Sequence, residues 1–231
     1  KMYGNINVTS TADDFKRNFK KTYQMIKPEI CNFTTPCCIL QYAWLVEPDT
    51  KFDQSGLWQV ECLIEPEKAL ELEEQLNGLL ERWKAQLKAA NPNKTFKLAP
   101  ARFGYEEVDG TPYFRVKTKM KGGGVRADGT QWKKRPPVLY NSDGTPMSEE
   151  QRQAVNKLGP GTTGQVNIRC SGWETPAFGV GIKIEPEAVI IHNFVEYVKD
   201  AKGYGFETKE AVQEEKPKAS AGFETVGADE F

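Results

Sequence analysis

Residues 113–137 read YFRVKTKMKGGGVRADGTQWKKRPP, and the first half of this stretch alternates with a period of two. Arg115, Lys117, Lys119 and Lys121 take one parity, and Phe114, Val116, Thr118 and Met120 take the other. The pattern predicts a strand with one face on a core and four cations on the opposite face. The triplet Gly122-Gly123-Gly124 breaks it, Asp128-Gly129 marks a turn, and the stretch closes on Trp132-Lys133-Lys134-Arg135. With Arg126, eight cations face the single acid Asp128, a local charge of +7 in a chain whose net charge is −1. Such a concentration around an aromatic ring suits a polyanion, whereas the plainer reading is a solvated strand with a loose hairpin tip.

On either side the chain supplies the elements of a small β domain. Cys37 to Val46 is a strand-like run stopped by Glu47-Pro48-Asp49, and Leu57 to Ile64 alternates up to Pro66, so the two read as a long hairpin. Pro66 suits a first helical position. Ala69, Leu72, Leu76, Leu79, Leu80, Trp83 and Leu87 then recur at threes and fours until Asn91-Pro92, with acids early and Arg82, Lys84 and Lys88 late. That stripe predicts a helix plugging a sheet or barrel, with Trp44, Trp58 and Trp83 in the core. Residues 92–111 are expected to be a connection. Val138-Leu139-Tyr140-Asn141 predicts a short strand, and Ser148 a cap for a short helix through Gln151. The loop LGPGTTG at 158–164 lacks the Lys-Ser/Thr of a phosphate-binding loop and reads as a tight connection. Residues 165–171 and 178–184 form a second hairpin, with Trp173 between Gly172 and Pro176 either capping the core or displayed for stacking.

The ends differ in character. Phe15, Phe19, Tyr23 and Ile26 space a short amphipathic helix within a polar extension over residues 1–32. Beyond residue 198 the periodicity fails. Between Glu207 and the terminus seven acids stand against three lysines, and the chain ends on Asp229-Glu230-Phe231, so residues 199–231 are expected to be a flexible acidic tail.

Composition narrows the functional classes. A chain of 231 residues that is 39% apolar and 11% aromatic has room for one compact domain with attachments. No apolar run reaches membrane-spanning length and no hydrophobic leader begins the chain, so a soluble protein of the cell interior is expected. Five cysteines without a C-x-x-C spacing and one histidine, His192, give no zinc pattern and remove the usual base of a nucleophilic triad. Glu61, Glu65 and Asp53 lie in ordinary strand and turn contexts. Neither catalysis nor a metal or other cofactor is expected, and a metal-dependent nuclease is the weaker alternative. A protein-only adaptor module is the other.

About five strands with one inserted helix predict a mainly β protein, an OB-type five-stranded Greek-key barrel over residues 33–198, because strand and helix do not alternate. Such barrels hold single strands between a cationic groove and aromatic platforms. The candidate contacts are Tyr42, Arg115, Lys117, Lys119, Lys121, Arg126, Trp132, Lys133, Lys134, Arg135, Arg169 and Trp173.

The order of several segments also resembles the single-stranded DNA-binding proteins of T-seven-like phages. These are FTTPCCILQYAWLVEPDTKFDQSGLWQVECLIEP, YFRVKTKMK, PPVLYNSDGTPM before LGPGTTGQVNI, GWETPAFGVGIKIEPEAVII, and the ending ADEF. The resemblance implies an OB-fold protein of phage replication, recombination and repair in the cytoplasm of an infected bacterium, often a homodimer. It implies that Trp173 stacks, that Lys117 and Lys119 lie in the basic strand, and that the tail with Asp229, Glu230 and Phe231 competes with DNA and contacts a DNA polymerase and a primase-helicase. The N-terminal thirty residues, the larger Gly-rich basic loop and the less acidic tail depart from the family pattern.

Overall fold

The computed structural model describes residues 26–51 and 53–198; the stretch around Phe15, Phe19 and Tyr23 and the acidic tail lie outside them. The chain divides into units at 1–197 and 198–231. In chain order the elements are β1 (Ile30–Thr34), β2 (Cys38–Asp49), β3 (Leu57–Ile64), α1 (Pro66–Ala90), β4 (Phe103–Val108) and β5 (Thr111–Lys121). There follow β6 (Gly123–Val125), β7 (Gln131–Lys133), β8 (Val138–Tyr140), α2 (Glu149–Ala154), β9 (Thr163–Thr175) and β10 (Gly179–Asn193).

The alternation in β5 becomes two faces. Phe114, Val116, Thr118 and Met120 are buried. Thr118, the polar member of that row, donates its hydroxyl to the Val60 carbonyl at 2.8 Å and accepts from the Val60 N–H at 3.1 Å, so nothing polar is stranded there. Helix α1 starts with Pro66 in its first turn, where the missing N–H costs nothing, and ends at Asn91, whose backbone N–H bonds the Leu87 carbonyl. It buries Ala69, Leu72, Leu76, Leu79, Trp83 and Leu87. At about 2 kcal/mol for each large apolar side chain removed from water, this stripe pins the helix to the sheet. Ser148 caps α2 as the sequence predicts, accepting from the Gln151 N–H while the Gln151 side chain accepts from the Ser148 N–H at 2.8 Å.

The sheet runs β4-β5-β3-β2-β9-β10-β8, with β1 lying alongside β9. Within it, β2, β3 and β5 pair in sequence, and β9 returns through a long connection to lie beside β2. That is Greek-key order, and β10 extends it to the five strands of an OB fold, with α1 inserted between β3 and β5. β10 comes against β5, but no ladder joins them among the described residues. The expected barrel is therefore present in strand order, with an open hydrogen-bonded path.

Three features depart from expectation. β1 crosses the boundary placed at residue 32 and pairs with β9 from Ile30↔Ser171 to Thr34↔Asn167. Part of the 92–111 connection is the edge strand β4. β2 continues through Pro48 to Asp49 and carries a bulge, because its register with β3 jumps from Gln41↔Glu61 to Trp44↔Gln59. Tyr42, inside the bulge, has φ +47°. One extra residue lets Leu40 and Leu45 both face the core while Trp44, expected inside, turns outward and is 43% exposed.

Candidate nucleic-acid interface

The outward residues of β5 do not form the uncompensated row that the sequence suggests. Arg115 donates Nε to Glu61 Oε2 at 2.6 Å and Nη1 to Glu106 Oε1 at 2.5 Å, and Nη2 also bonds Glu61. Lys117 lies 3.8 Å from Glu106 and Lys121 lies 3.4 Å from Asp53. Lys119 sits opposite Gln59, with no carboxylate in ion-pair range among the described residues. The sequence count of +7 omitted acids delivered by β3, β4 and the loop before β3. Positive charge is thus spent inside the sheet toward Arg115 and left uncompensated at Lys119, while Lys121 faces Asp53.

That end of β5 opens into a cleft of about 480 Å³ lined by Asp53, Leu57, Arg102, Lys119, Lys121, Trp173 and Lys183. Four cations meet one carboxylate there. Asp53 is held below the usual carboxylate range, chiefly by the Ser55 hydroxyl and N–H, with Lys121 adding to them, so it stays anionic. Trp173 is half-buried. A Cβ on Gly181 would come within 2.9 Å of its indole, so glycine is what lets the ring approach β10. From below, the Trp83 indole N–H donates to the Trp173 carbonyl at 3.1 Å, and Gly172 gives that second ring room, since a Cβ there would fall 2.3 Å from it. The helix stripe therefore supports the strand that carries Trp173.

The other predicted residues distribute around this cleft. Arg126, Trp132, Lys133 and Arg135 belong to a ribbon, β6 paired with β7, whose two ends meet at Gly122: Lys134 N–H bonds the Gly122 carbonyl and Gly122 N–H bonds the Gly56 carbonyl, both at 2.8 Å. Trp132 is half-buried over Gly124, where a Cβ would sit 3.1 Å from the ring. Lys134 is ion-paired. It bonds Glu185 Oε1 at 2.6 Å, and Lys183 reaches the same oxygen at 2.7 Å. Burial raises the Glu185 pKa, but the bonds and charges of Lys134 and Lys183 outweigh burial and leave it lowered. Arg169 is on the outward face of β9, opposite Glu185 and 4.0 Å from Glu187, and does not line the cleft. Tyr42 lines a separate cleft with Trp44.

Sequence reading missed two cations of the cleft. Lys183 stands on the outward parity of β10, a signal present in the alternation. Arg102 lies just before β4 and reaches the cleft only through the fold. Phe178, expected to open the returning strand, is instead 68% exposed in the turn between β9 and β10 and lines neither cleft. Among the described residues no cluster of His, Cys, Asp and Glu is placed to hold a metal ion, and no helix is long and apolar enough to cross a membrane.

The strand order, the inserted helix and a cleft bounded by the β2–β3 loop, β5 and the β9–β10 hairpin define the class: an OB fold with an open hydrogen-bonded path and Trp173 in its cleft. No family model matches the sequence, and no curated protein matches it. Among solved structures, gp2.5, a single-stranded DNA-binding protein encoded by bacteriophage T7, superposes with a TM-score of 0.61 at 18% identity, over 84% of this chain and all of that one. The single-stranded DNA-binding protein from bacteriophage Enc34, in complex with single-stranded DNA, gives 0.54 at 12% identity, over 72% of this chain and 89% of its own. At these identities the likeness shows a shared fold.

Proposed function

We propose that this chain binds single-stranded DNA without reading its sequence, coating and protecting exposed strands during phage DNA replication, recombination and repair inside the infected cell. The observation that carries the reading is the cleft in which Trp173 stands among Arg102, Lys119, Lys121 and Lys183. A ring face accepts any base, and the amines and guanidinium follow the phosphates on either side of it. The ribbon cations Arg126, Lys133 and Arg135 extend the positive surface from Gly122, next to Lys121. Glu61 and Glu106 hold Arg115 in the sheet, so Arg115 organises the face and Lys119 makes the phosphate contact.

Titration with oligo(dT) across a range of salt tests this. Each phosphate contact contributes about 0.7 to the salt slope of single-strand binding, so Lys119→Gln is expected to flatten it by about that amount. An unchanged slope, or no binding at low salt by the parent chain, overturns the reading. The tail residues Asp229, Glu230 and Phe231 recruit basic surfaces of replication proteins, a polymerase or primase-helicase, and compete with DNA for the cations. Deleting residues 223–231 is expected to tighten DNA binding at low salt and abolish recruitment; unchanged affinity counts against competition.

A further inference from the structure

The second cleft, of about 460 Å³, lies on the same sheet face. Leu40 to Trp44 of β2 and Glu47 form one wall, and residues 156–160 with Tyr197 form the other. The far wall is fixed by backbone pairing: Gly159 N–H bonds the Val195 carbonyl at 2.7 Å, and Leu158 bridges Glu196. Three rings open onto it, with Tyr42 67%, Trp44 43% and Tyr197 51% exposed.

The register connects this cleft to the first. Trp44 lies opposite Gln59, and Gln59 lies opposite Lys119, so one cross-strand row carries an exposed indole, an amide and the cleft lysine on a single face. Neighbouring strands lie about 4.8 Å apart, so the Trp44 and Lys119 backbones are roughly 10 Å from each other. The rim charges are one exposed lysine, Lys157, and one exposed acid, Glu47. A cleft with rings and almost no net charge suits the uncharged part of a nucleotide.

We propose that the Tyr42–Trp44 cleft is a second base-binding subsite, receiving unpaired nucleobases further along the same strand whose phosphates are held at Lys119 and Lys121. The proposal rests on the reading of the chain as a single-strand binder and adds to it a direction: the strand crosses β5, β3 and β2 along the Lys119–Gln59–Trp44 row. The bulge serves this geometry. Without the one extra residue in β2, the parity that buries Leu40 would carry through and turn Trp44 inward. A protein segment is the other conceivable occupant of so apolar a groove, but it would not require alignment with Lys119.

The test uses the full chain and oligo(dT) from about four to about sixteen nucleotides, the span over which OB folds vary in site size. Trp173→Ala is expected to weaken binding at every length. Trp44→Ala and Tyr42→Asn, the latter chosen because asparagine tolerates φ +47°, are expected to leave the shortest oligomers unaffected and to weaken the longer ones by about tenfold each, as loss of a stacked base does. Their salt slopes stay as in the parent. Full retention of long-oligomer affinity in both variants, as a protein occupant would give, overturns the proposal; so does equal loss at the shortest lengths. Photocrosslinking of the parent to 5-iodouracil-substituted dT gives a readout free of any folding defect: adducts on Tyr42 or Trp44 support the subsite, and adducts confined to the Trp173 cleft refute it. If the parent binds no oligomer at all, the underlying functional reading has failed instead.

Discussion

Around Trp173 the walls carry Arg102, Lys119, Lys121 and Lys183 against Asp53, whereas around Trp44 they carry Lys157 against Glu47. The two clefts also differ in what stands behind the rings. Trp173 lies over Gly181 on a strand whose backbone is held by the Trp83 indole, in contact with the helix stripe. Tyr42 sits on a bulge at a backbone angle that aromatic residues avoid. Charge and rigidity go together here: the cleft proposed to hold phosphates is braced by the core, and the cleft that offers ring faces with little charge is built on a local irregularity.

The sharpest way to break this contrast is at the brace. Gly172→Ala puts a Cβ 2.3 Å from the Trp83 ring, with the rigid indole wedged between helix and sheet, so relief requires moving the helix. A loss of about 3 kcal/mol in unfolding free energy by denaturant titration is expected, at the upper end for an overpacked core. A stability near that of the parent would show that the Trp83–Gly172 contact does not brace the cleft. Trp173→Ala probes the ring alone: about 2 kcal/mol of single-strand affinity is expected to go, the middle of the range for one stacked base, with little change in melting temperature because the ring is only half-buried. A large drop in melting temperature with affinity intact would assign Trp173 to the core.

How much of this was legible beforehand follows from the range over which each signal acts. The helix 66–90 and the two faces of β5 were readable because periodicity is local, and each buried side chain in α1 and β5 stands where its parity or phase places it. The OB order was readable because β2, β3 and β5 pair in chain order. Trp44 was not, since a bulge shifts parity and leaves no mark in composition; Tyr42, an ordinary strand former, carries the unusual φ. The charge count failed for a related reason. Glu61 pairs with Arg115 across 54 positions and Glu185 with Lys134 across 51, and nothing within residues 113–137 announces either partner. Arg102 became a cleft residue only once β4 had been laid beside β5.

Glu185 tests whether the ribbon shares the rigidity of the first cleft. Its carboxylate draws Lys134 from the ribbon and Lys183 from the cleft onto one oxygen. Because its pKa is lowered in the fold, its contribution to stability is complete above the ordinary glutamate value, about 4.3, and is lost as pH falls through the lowered one. Glu185→Gln is expected to cost about 1 kcal/mol at neutral pH, discounted because both lysines are part-exposed. The variant's stability should also vary less with pH in that acid window. With two lysines released, single-strand binding should tighten at low salt. A parent and variant with superimposable pH profiles would show that Glu185 does not tie the ribbon to the cleft.

The smallest expected effect concerns the backbone under Tyr42. A residue with a Cβ at φ +47° is disfavoured, and asparagine relieves part of that cost by bonding locally, so Tyr42→Asn should gain less than about 1 kcal/mol in stability. The ring is 67% exposed, so little packing is lost to offset the gain. Trp173→Ala is expected to lower affinity at every length without a gain in stability, while Tyr42→Asn should raise stability and lower affinity only for longer strands. That opposition is what a strained functional residue produces and a core residue does not. Thermal unfolding of the two variants beside the parent decides it. A destabilised Tyr42→Asn would mean that the ring packs on the bulge, and the contrast between a braced cleft and a strained one would dissolve.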